Sequence, residues 1–535
     1  MIEPSKTVIT KNEDTDIEEI PIIKRLSFEE FIHKYVKDFG PYQWIMMILM
    51  ALPCFAPSLH LMSWVFIGSG DFQLKCIGNY SGENETNIDA CKCEKYEFIV
   101  DDKSVNAITA FDIVCDRYFL KAMVHSSYYV GQMIGSLALA FISDTYGRRI
   151  AFLISVVVEF YCATWLMVPL GVWAYMLGRI GLGFSHYGLF TIPVLLALEF
   201  LSPSKRKWAC FGAGCLFAVG QIILALIAML ELPFLKFQFA LFVPLILLFV
   251  CAYFAPESAR WLLAQNKFDE AEKVLTYAAK INKAGIPADW KDRIIVEKHN
   301  PKNTVSVVAL LKTPKLRTRT IVVIFLWPIV SMLYYGMSTK MDLFGGNKYQ
   351  TFIFGAFIEI PANGVVTLII DRLGRKGLTV GGLISVAICM FLSIFITENT
   401  PLFLCITQIV FARFAITITY STIYTYTPEL FPTVLRGRTV GIASFCARLG
   451  GIGSSYLVLL LVDVYGRLVV TIPFMTLALL AAIGVFFLLP ETAGTELPQT
   501  IDDVERKELN STIKQESGGQ DAELVPLTEK AETHS

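Results

Sequence analysis

The chain has 535 residues, of which 54% are hydrophobic and 17% charged; its mean hydropathy is +0.54 and its formal net charge is −1. Soluble domains carry about a quarter charged residues, so a soluble globular protein is excluded, and near-neutral charge excludes the basic footprint of a nucleic-acid binder. The apolar residues gather in blocks of roughly twenty, the length that crosses a bilayer as a helix. This is an integral membrane protein, predicted all-α.

Residues 1–42 are polar and lack a cleavable signal pattern, so the first apolar block is expected to act as its own insertion signal. Twelve membrane helices are predicted near 43–68, 119–142, 150–169, 172–198, 209–230, 235–255, 319–337, 350–370, 378–397, 402–427, 439–462 and 467–489. Basic residues in short loops mark the cytoplasmic side. Arg148 and Arg149, Lys205 to Lys207, Arg372, Arg375 and Lys376, and Arg436 and Arg438 fall in alternate loops. Both termini are therefore expected in the cytoplasm of a multi-pass plasma-membrane protein. The loop 69–118 then faces outward, and its contents agree: Asn79 and Asn84 head glycosylation sequons, and Cys76, Cys91, Cys93 and Cys115 share the loop. Four cysteines allow two disulfides in three pairings; the other eight read as small apolar fillers. Within the polar linker 257–318, Trp261, Leu262, Phe268, Val274 and Leu275 form the apolar face of an amphipathic helix. The tail 491–535 is rich in Gly, Ser and Glu and expected to be disordered.

The chain repeats itself. DTYGRR at 144–149 returns as DRLGRK at 371–376, with Asp144 and Asp371 227 positions apart. Glu199 and Glu429 lie 230 apart, each with an arginine seven residues on, at Arg206 and Arg436. Arg179 and Arg413, like the PES at 256–258 and the PET at 490–492, lie 234 apart. Four landmarks at nearly one offset make the chain a duplicated six-helix unit, 43–256 and 319–490. The halves run parallel, because six is even.

Parallel six-plus-six repeats are the build of the major facilitator superfamily. The long Cys- and sequon-bearing loop, PESARWLL, YTPELFPTVLRGRTVGIAS and LPETAGTELPQTIDDVE together resemble its organic cation/anion/carnitine transporter family across residues 20–505. The resemblance implies a polyspecific secondary transporter of small organic ions, working by alternating access without a cofactor, with a coupling ion or counter-substrate as further partner.

Asp144, Arg148, Arg149, Glu199 and Arg206, and in the second half Asp371, Arg375, Glu429 and Arg436, are the acid–Gly–base residues expected to form a charge network in each half. Such networks at helix ends latch one conformation and release in the next. Exposed ion pairs are worth about 0–1 kcal/mol each, so several must act together. The alternative is topogenic, the bases simply holding their loops inside, but the recurrence of the acid–Gly–base pattern with its partner motif in both halves favours the gate.

Glu159, Arg179, Glu359, Arg413 and Arg448 fall at membrane depth, where an ionisable group faces a cavity or a partner. Arg179 and Arg413, at matched positions, read as structural or gating groups. The resemblance places Arg448 at the central cavity, where cation carriers of the family carry an acid and anion and carnitine carriers an arginine; Phe445 lies one turn before it. Glu359 can meet an ammonium group or a protein cation, and Asn363 stands where anion carriers have lysine. Aromatic faces attract quaternary ammonium groups, and Trp327, Tyr334 and Tyr335 share one face of the seventh helix, Tyr420 and Tyr424 one face of the tenth. Tyr187 adds a ring from the fourth. Organic cations or zwitterions are the expected cargo. Organic anions, favoured by Arg448, are the alternative, with a sugar carrier or a non-transporting scaffold behind them. No P-loop, metal-binding cluster or nucleophile motif points to an enzyme.

Overall fold

The computed structural model describes residues 26–37, 39–69, 73–76, 96–99, 106–202, 204–295, 309–340, 347–397, 400–495, 498, 501 and 503–504. Asn79, Asn84, Cys91 and Cys93 lie outside the described residues, as do 1–25 and nearly all of the tail. Twelve long helical paths run through the described residues. The first half contains spans one to six: Pro41–Ile67, Leu120–Tyr146, Arg148–Trp165, Val172–Glu199, Arg206–Ala228 and Phe234–Phe254. The second contains spans seven to twelve: Pro314–Thr339, Lys348–Leu373, Arg375–Ser393, Leu402–Glu429, Leu435–Tyr465 and Leu468–Leu488.

Ten of these are long and apolar enough to cross a membrane on length and composition alone. Spans two and three are the exceptions, for a physical reason. Span three carries Arg148, Arg149 and Glu159 in eighteen residues. Span two carries His125, Ser126, Ser127, Gln132 and Ser136, all buried inside the protein. The polar residues of span two and Glu159 of span three, costly toward lipid, are turned inward, while Arg148 and Arg149 sit at the very start of span three, at its hexapeptide end.

Proline shapes two spans. Pro53 and Pro244 each remove a helical N–H donor, and a short 3₁₀ turn, Leu52–Cys54 and Val243–Leu245, interrupts each helix there. In the long loop Gln73–Cys76 pairs antiparallel with Tyr96–Ile99, and a single parallel bridge joins Leu26, before span one, to Ile294 of the linker.

At the hexapeptide end, the linker helices Ala259–Ala264, Phe268–Ile281 and Trp290–Arg293 fold against the protein. Trp261, Leu262 and Leu275 are buried and Phe268 and Val274 half-buried, as an amphipathic helix requires. The segment before span one joins them. Ser27 caps the helical run Phe28–Phe31, which continues to Lys37 and buries Phe31, Ile32 and Val36; Phe31 packs 6.2 Å from Trp290. Asn282 ties linker to span one: its Oδ1 accepts from the Tyr42 amide at 2.9 Å, and its Nδ2 donates to the Val36 carbonyl at 2.7 Å and Gln43 Oε1 at 2.8 Å.

The halves meet along two seams. Spans two and eleven touch toward the long-loop end: His125 Nδ1 lies 2.8 Å from Ser455 Oγ, and the Tyr129 ring faces Gly451. At the end of this seam Asp463 receives Lys121 at 3.1 Å, together with Tyr118 and Lys340. Spans five and eight form the second seam, with Gln221 Nε2 donating to Glu359 Oε2 at 3.0 Å and Lys207 pairing with Asp371 at 3.5 Å.

Candidate substrate site and gates

The repeated hexapeptide is explained by what its glycine permits. Gly147 and Gly374 take φ +114° and +78°, a region that costs other residues strain, and each immediately precedes a span, three and nine. A Cβ on either glycine would run into a carboxylate, Glu257 in the first half and Glu491 in the second. These carboxylates cap the bare helix N-termini. Glu257 Oε1 accepts from the Arg148 and Arg149 amides at 2.8 and 3.3 Å; Glu491 accepts from the Arg375 and Lys376 amides at 2.9 and 3.0 Å. An anion at a helix N-terminus meets both free N–H groups and the positive dipole end.

The arginine following each glycine then ties its own half together. Arg148 reaches Asp144 at 3.2 Å and Glu199 at 3.4 Å; Arg375 reaches Asp371 at 3.2 Å and Glu429 at 3.0 Å. Burial raises the Glu257 carboxyl above its ordinary range, against the pull of its backbone donors. Burial acts on Glu491 too, but the amides of Ala493, Arg375, Thr492 and Lys376 outweigh it and hold that carboxyl low.

Three expected members stand apart. Arg206 pairs with Glu29 at 2.6 Å, not with Glu199, because the segment before span one brings that acid closer. Arg149 contributes its backbone amide to Glu257. Arg436 donates to the Pro428 carbonyl at 2.7 Å, with no ion pair to a carboxylate among the described residues. Glu257 and Glu491 were not singled out in the sequence, although PES and PET mark them at the shared offset of 234.

Deeper in, the matched arginines find different partners. Arg179 donates to the carbonyls of Val124 and His60 at 3.1 and 3.4 Å and to Ser63 Oγ at 3.2 Å, between the rings of Trp64 and Tyr128. It braces spans one, two and four. Arg413 instead holds Glu359: Nε donates to Oε1 at 3.0 Å, with Nη2 closer still. Tyr334 and Gln221 each donate to Glu359 at 3.0 Å, so both its oxygens are occupied. Asn363 accepts from Ser421 Oγ at 2.6 Å. Glu159 bonds Ser185, with His60 Nε2 3.8 Å from its other oxygen.

Arg448 has no such acid. The residue is 6% exposed and Nη1 donates to Tyr335 Oη at 3.3 Å, while Nε has no partner among the described residues. Among the described residues no carboxylate lies within ion-pair distance of it. Around it runs an aromatic cluster. Tyr335 lies 6.4 Å from Tyr420, Tyr420 lies 5.1 Å from Tyr334, and Trp327 lies 4.7 Å from Tyr424. Trp327 is oriented by its Nε1 donating to Thr427 Oγ1 at 2.9 Å. Span two contributes Tyr129, 5.0 Å from Tyr335 and absent from the sequence-based set. Tyr187 and Phe445 are half-buried and make no ring contact with this cluster. A buried guanidinium without an acid is an uncompensated charge worth several kcal/mol. Its planar fork suits a carboxylate, and the ring faces beside it suit an ammonium group.

Similarity to known proteins bears on these features. The family model described as "Sugar (and other) transporter" matches residues 82–502. The organic cation transporter protein of Drosophila melanogaster is 29% identical over 521 residues, covering 88% of this chain and 93% of the relative. Solute carrier family 22 member 1 of Sus scrofa is 31% identical over 432 residues, covering 79% and 76%. Solute carrier family 22 member 2 of Homo sapiens is 31% identical over 401 residues, covering 74% and 71%. Among solved structures, the inward-open conformation of the E. coli xylose transporter XylE superposes with a TM-score of 0.58 at 16% identity, covering 86% of this chain and 99% of that one. Matched by the family model across most of its length and by relatives above 30% identity, the chain belongs to the Sugar (and other) transporter family and, within it, to solute carrier family 22: a major facilitator transporter rather than an enzyme.

Proposed function

We propose that this protein carries small organic zwitterions, an ammonium and a carboxylate on one molecule as in carnitine, across the plasma membrane by alternating access. The observation that carries the reading is Arg448, buried, without an acid among the described residues, and bonded to Tyr335, whose ring continues into the cluster of Tyr420, Tyr424 and Trp327. Arg448 takes the carboxylate. The rings take the ammonium, at about 0.5–2 kcal/mol each, because Glu359 is engaged by Arg413. The relatives named organic cation transporters support the cationic end. The hexapeptide end faces the cytoplasm in this reading, and the Asp463 cluster closes the outer side.

Uptake of L-carnitine, tetraethylammonium and p-aminohippurate into cells expressing the protein tests it. Carnitine uptake is expected, falling by about tenfold or more in Arg448→Gln for the loss of a charge-assisted pair, with any tetraethylammonium uptake unaffected. Tetraethylammonium as sole cargo would make it a plain cation carrier. Uptake of p-aminohippurate alone would favour the second reading, an organic anion carrier, which rests on the same unpaired arginine.

We also propose glycosylation at Asn79 and Asn84 and disulfides within the long loop. The latter is supported by Cys115 being disulfide-bonded while Cys54, Cys162, Cys210, Cys215, Cys251, Cys389, Cys405 and Cys446 are free thiols. A glycosidase mobility shift, removed by Asn79→Gln with Asn84→Gln, and non-reducing peptide mapping check both.

A further inference from the structure

Gln132 on span two is 1% exposed, yet neither its amide nitrogen nor its carbonyl oxygen hydrogen-bonds to any group among the described residues. A primary amide buried with both ends unmet is rare in a folded protein. Every other buried glutamine with a described side-chain bond is engaged: Gln43 with Asn282, Gln221 with Glu359, Gln238 with Tyr175.

Helix geometry shows where Gln132 points. At about 100° per residue it lies about 40° from Tyr128 and about 60° from Tyr129 around span two. Tyr128 faces spans one and four, its hydroxyl donating to the Pro57 carbonyl at 3.3 Å and lying 3.1 Å from His186 Nδ1. Tyr129 faces spans seven and eleven, against Tyr335 and Gly451. Gln132 is aimed between them, toward the middle of the four helices.

The seam between spans two and eleven sets its depth. His125 meets Ser455 and, four residues further along span two, Tyr129 meets Gly451, four residues back along span eleven. Three more residues on each antiparallel helix reach Gln132 and Arg448. The same register therefore sets the unmet amide of the first half level with the unpaired guanidinium of the second. Two further unmet groups are the Tyr129 hydroxyl, on the same helix, and Ser331 Oγ, one turn before Tyr335 on span seven.

We propose that Gln132 is a substrate-positioning residue whose side-chain amide donates to the ligand carboxylate held by Arg448, so that one carboxylate is shared between the two halves. The inference rests on the zwitterion reading above and deepens it. A carboxylate oxygen has lone pairs to spare after a bidentate guanidinium contact, and the amide is a neutral donor on the opposite wall. A ligand held this way contacts both rocking bodies at once, which couples its binding to their relative position. A ligand lacking the carboxylate forgoes the contact from both.

The test compares uptake of L-carnitine with its methyl ester, which keeps the ammonium and loses the charge, normalised to surface expression. Gln132→Leu is expected to raise the KM for L-carnitine about tenfold, the loss of a hydrogen bond to a charged group, and to leave the ester within about twofold. Gln132→Glu, nearly isosteric, should lose L-carnitine more severely by charge repulsion while retaining the ester. In an Arg448→Gln background Gln132→Leu should add little, since the carboxylate is no longer held. Equal losses for acid and ester, as from a distorted helix seam, would overturn the inference, and so would an unchanged KM for L-carnitine. If Arg448→Gln abolishes the preference for acid over ester while both Gln132 variants are silent, the zwitterion reading stands and this inference alone falls. If Arg448→Gln is itself silent, both fall.

Discussion

Arg413 and Arg448 carry the same side chain in the same half of the protein, yet one is paired and the other is not. Arg413 faces Glu359 with Gln221 and Tyr334 completing the shell. Removing one member of such a buried pair leaves an uncompensated charge at a cost of about 3–5 kcal/mol. Glu359→Gln is therefore expected to lower the melting temperature of the purified transporter strongly, whereas Arg448→Gln, which relieves an uncompensated charge, should leave it unchanged or raise it and act on uptake. Comparable melting shifts in both variants would contradict the division of roles. Both arginines are legible in the sequence as charges at membrane depth. Their partners are not, because Glu359 and Arg413 sit 54 residues apart on different helices.

At the scale of helices, the two hexapeptides do the same work under different electrostatics. Each glycine opens space for a carboxylate on the following helix terminus, so Gly147→Ala and Gly374→Ala should each impair folding or uptake despite the small change. The carboxylates differ. Glu491 is held below its ordinary range, so its contribution is present above that range and lost as pH falls through its folded value. Glu257 is raised by burial, so its contribution is fully present below the ordinary range and lost as pH rises through its folded value. Near neutral pH, Glu491→Gln should therefore cost more stability than Glu257→Gln. The Glu491→Gln deficit should persist down to the ordinary carboxylate range and shrink as pH falls below about 4, as read by melting temperature against pH. Another helix-scale contact, Asn282, satisfies three polar partners on the first span and its leading segment. Asn282→Leu would leave buried polar groups unmet at about 1–3 kcal/mol each, with a matching drop in thermal stability.

At the scale of the whole transporter, one carboxylate ties the halves at the long-loop end, where Phe66 of span one also packs on Tyr349 and Phe352 of span eight. Asp463 of the second half gathers Tyr118 and Lys121 of the first and Lys340 of its own, whereas the hexapeptide networks lie within single halves. At the hexapeptide end Lys207–Asp371 bridges the halves, and both side chains there are largely exposed. Asp463→Asn should thus favour the form open at the long-loop end, by on the order of tenfold in population. Labelling of a Ser455→Cys probe in the seam by a membrane-impermeant maleimide should rise accordingly. Unaltered labelling would mean that the cluster does not govern closure.

Membrane class, twelve helices, the parallel duplication and the family all follow from the order of residues, because apolar length and a constant repeat offset are properties measured along the chain. Spans two and three belong to that count even though their polarity makes them the weakest by composition, since their buried residues face protein. Which charges pair is another matter. Arg206 with Glu29, Glu359 with Arg413, Arg448 with no acid, and Gln132 level with Arg448 depend on how each helix is rotated and staggered against its neighbours. Those angles arise from packing between segments distant in the chain, and no local pattern encodes them.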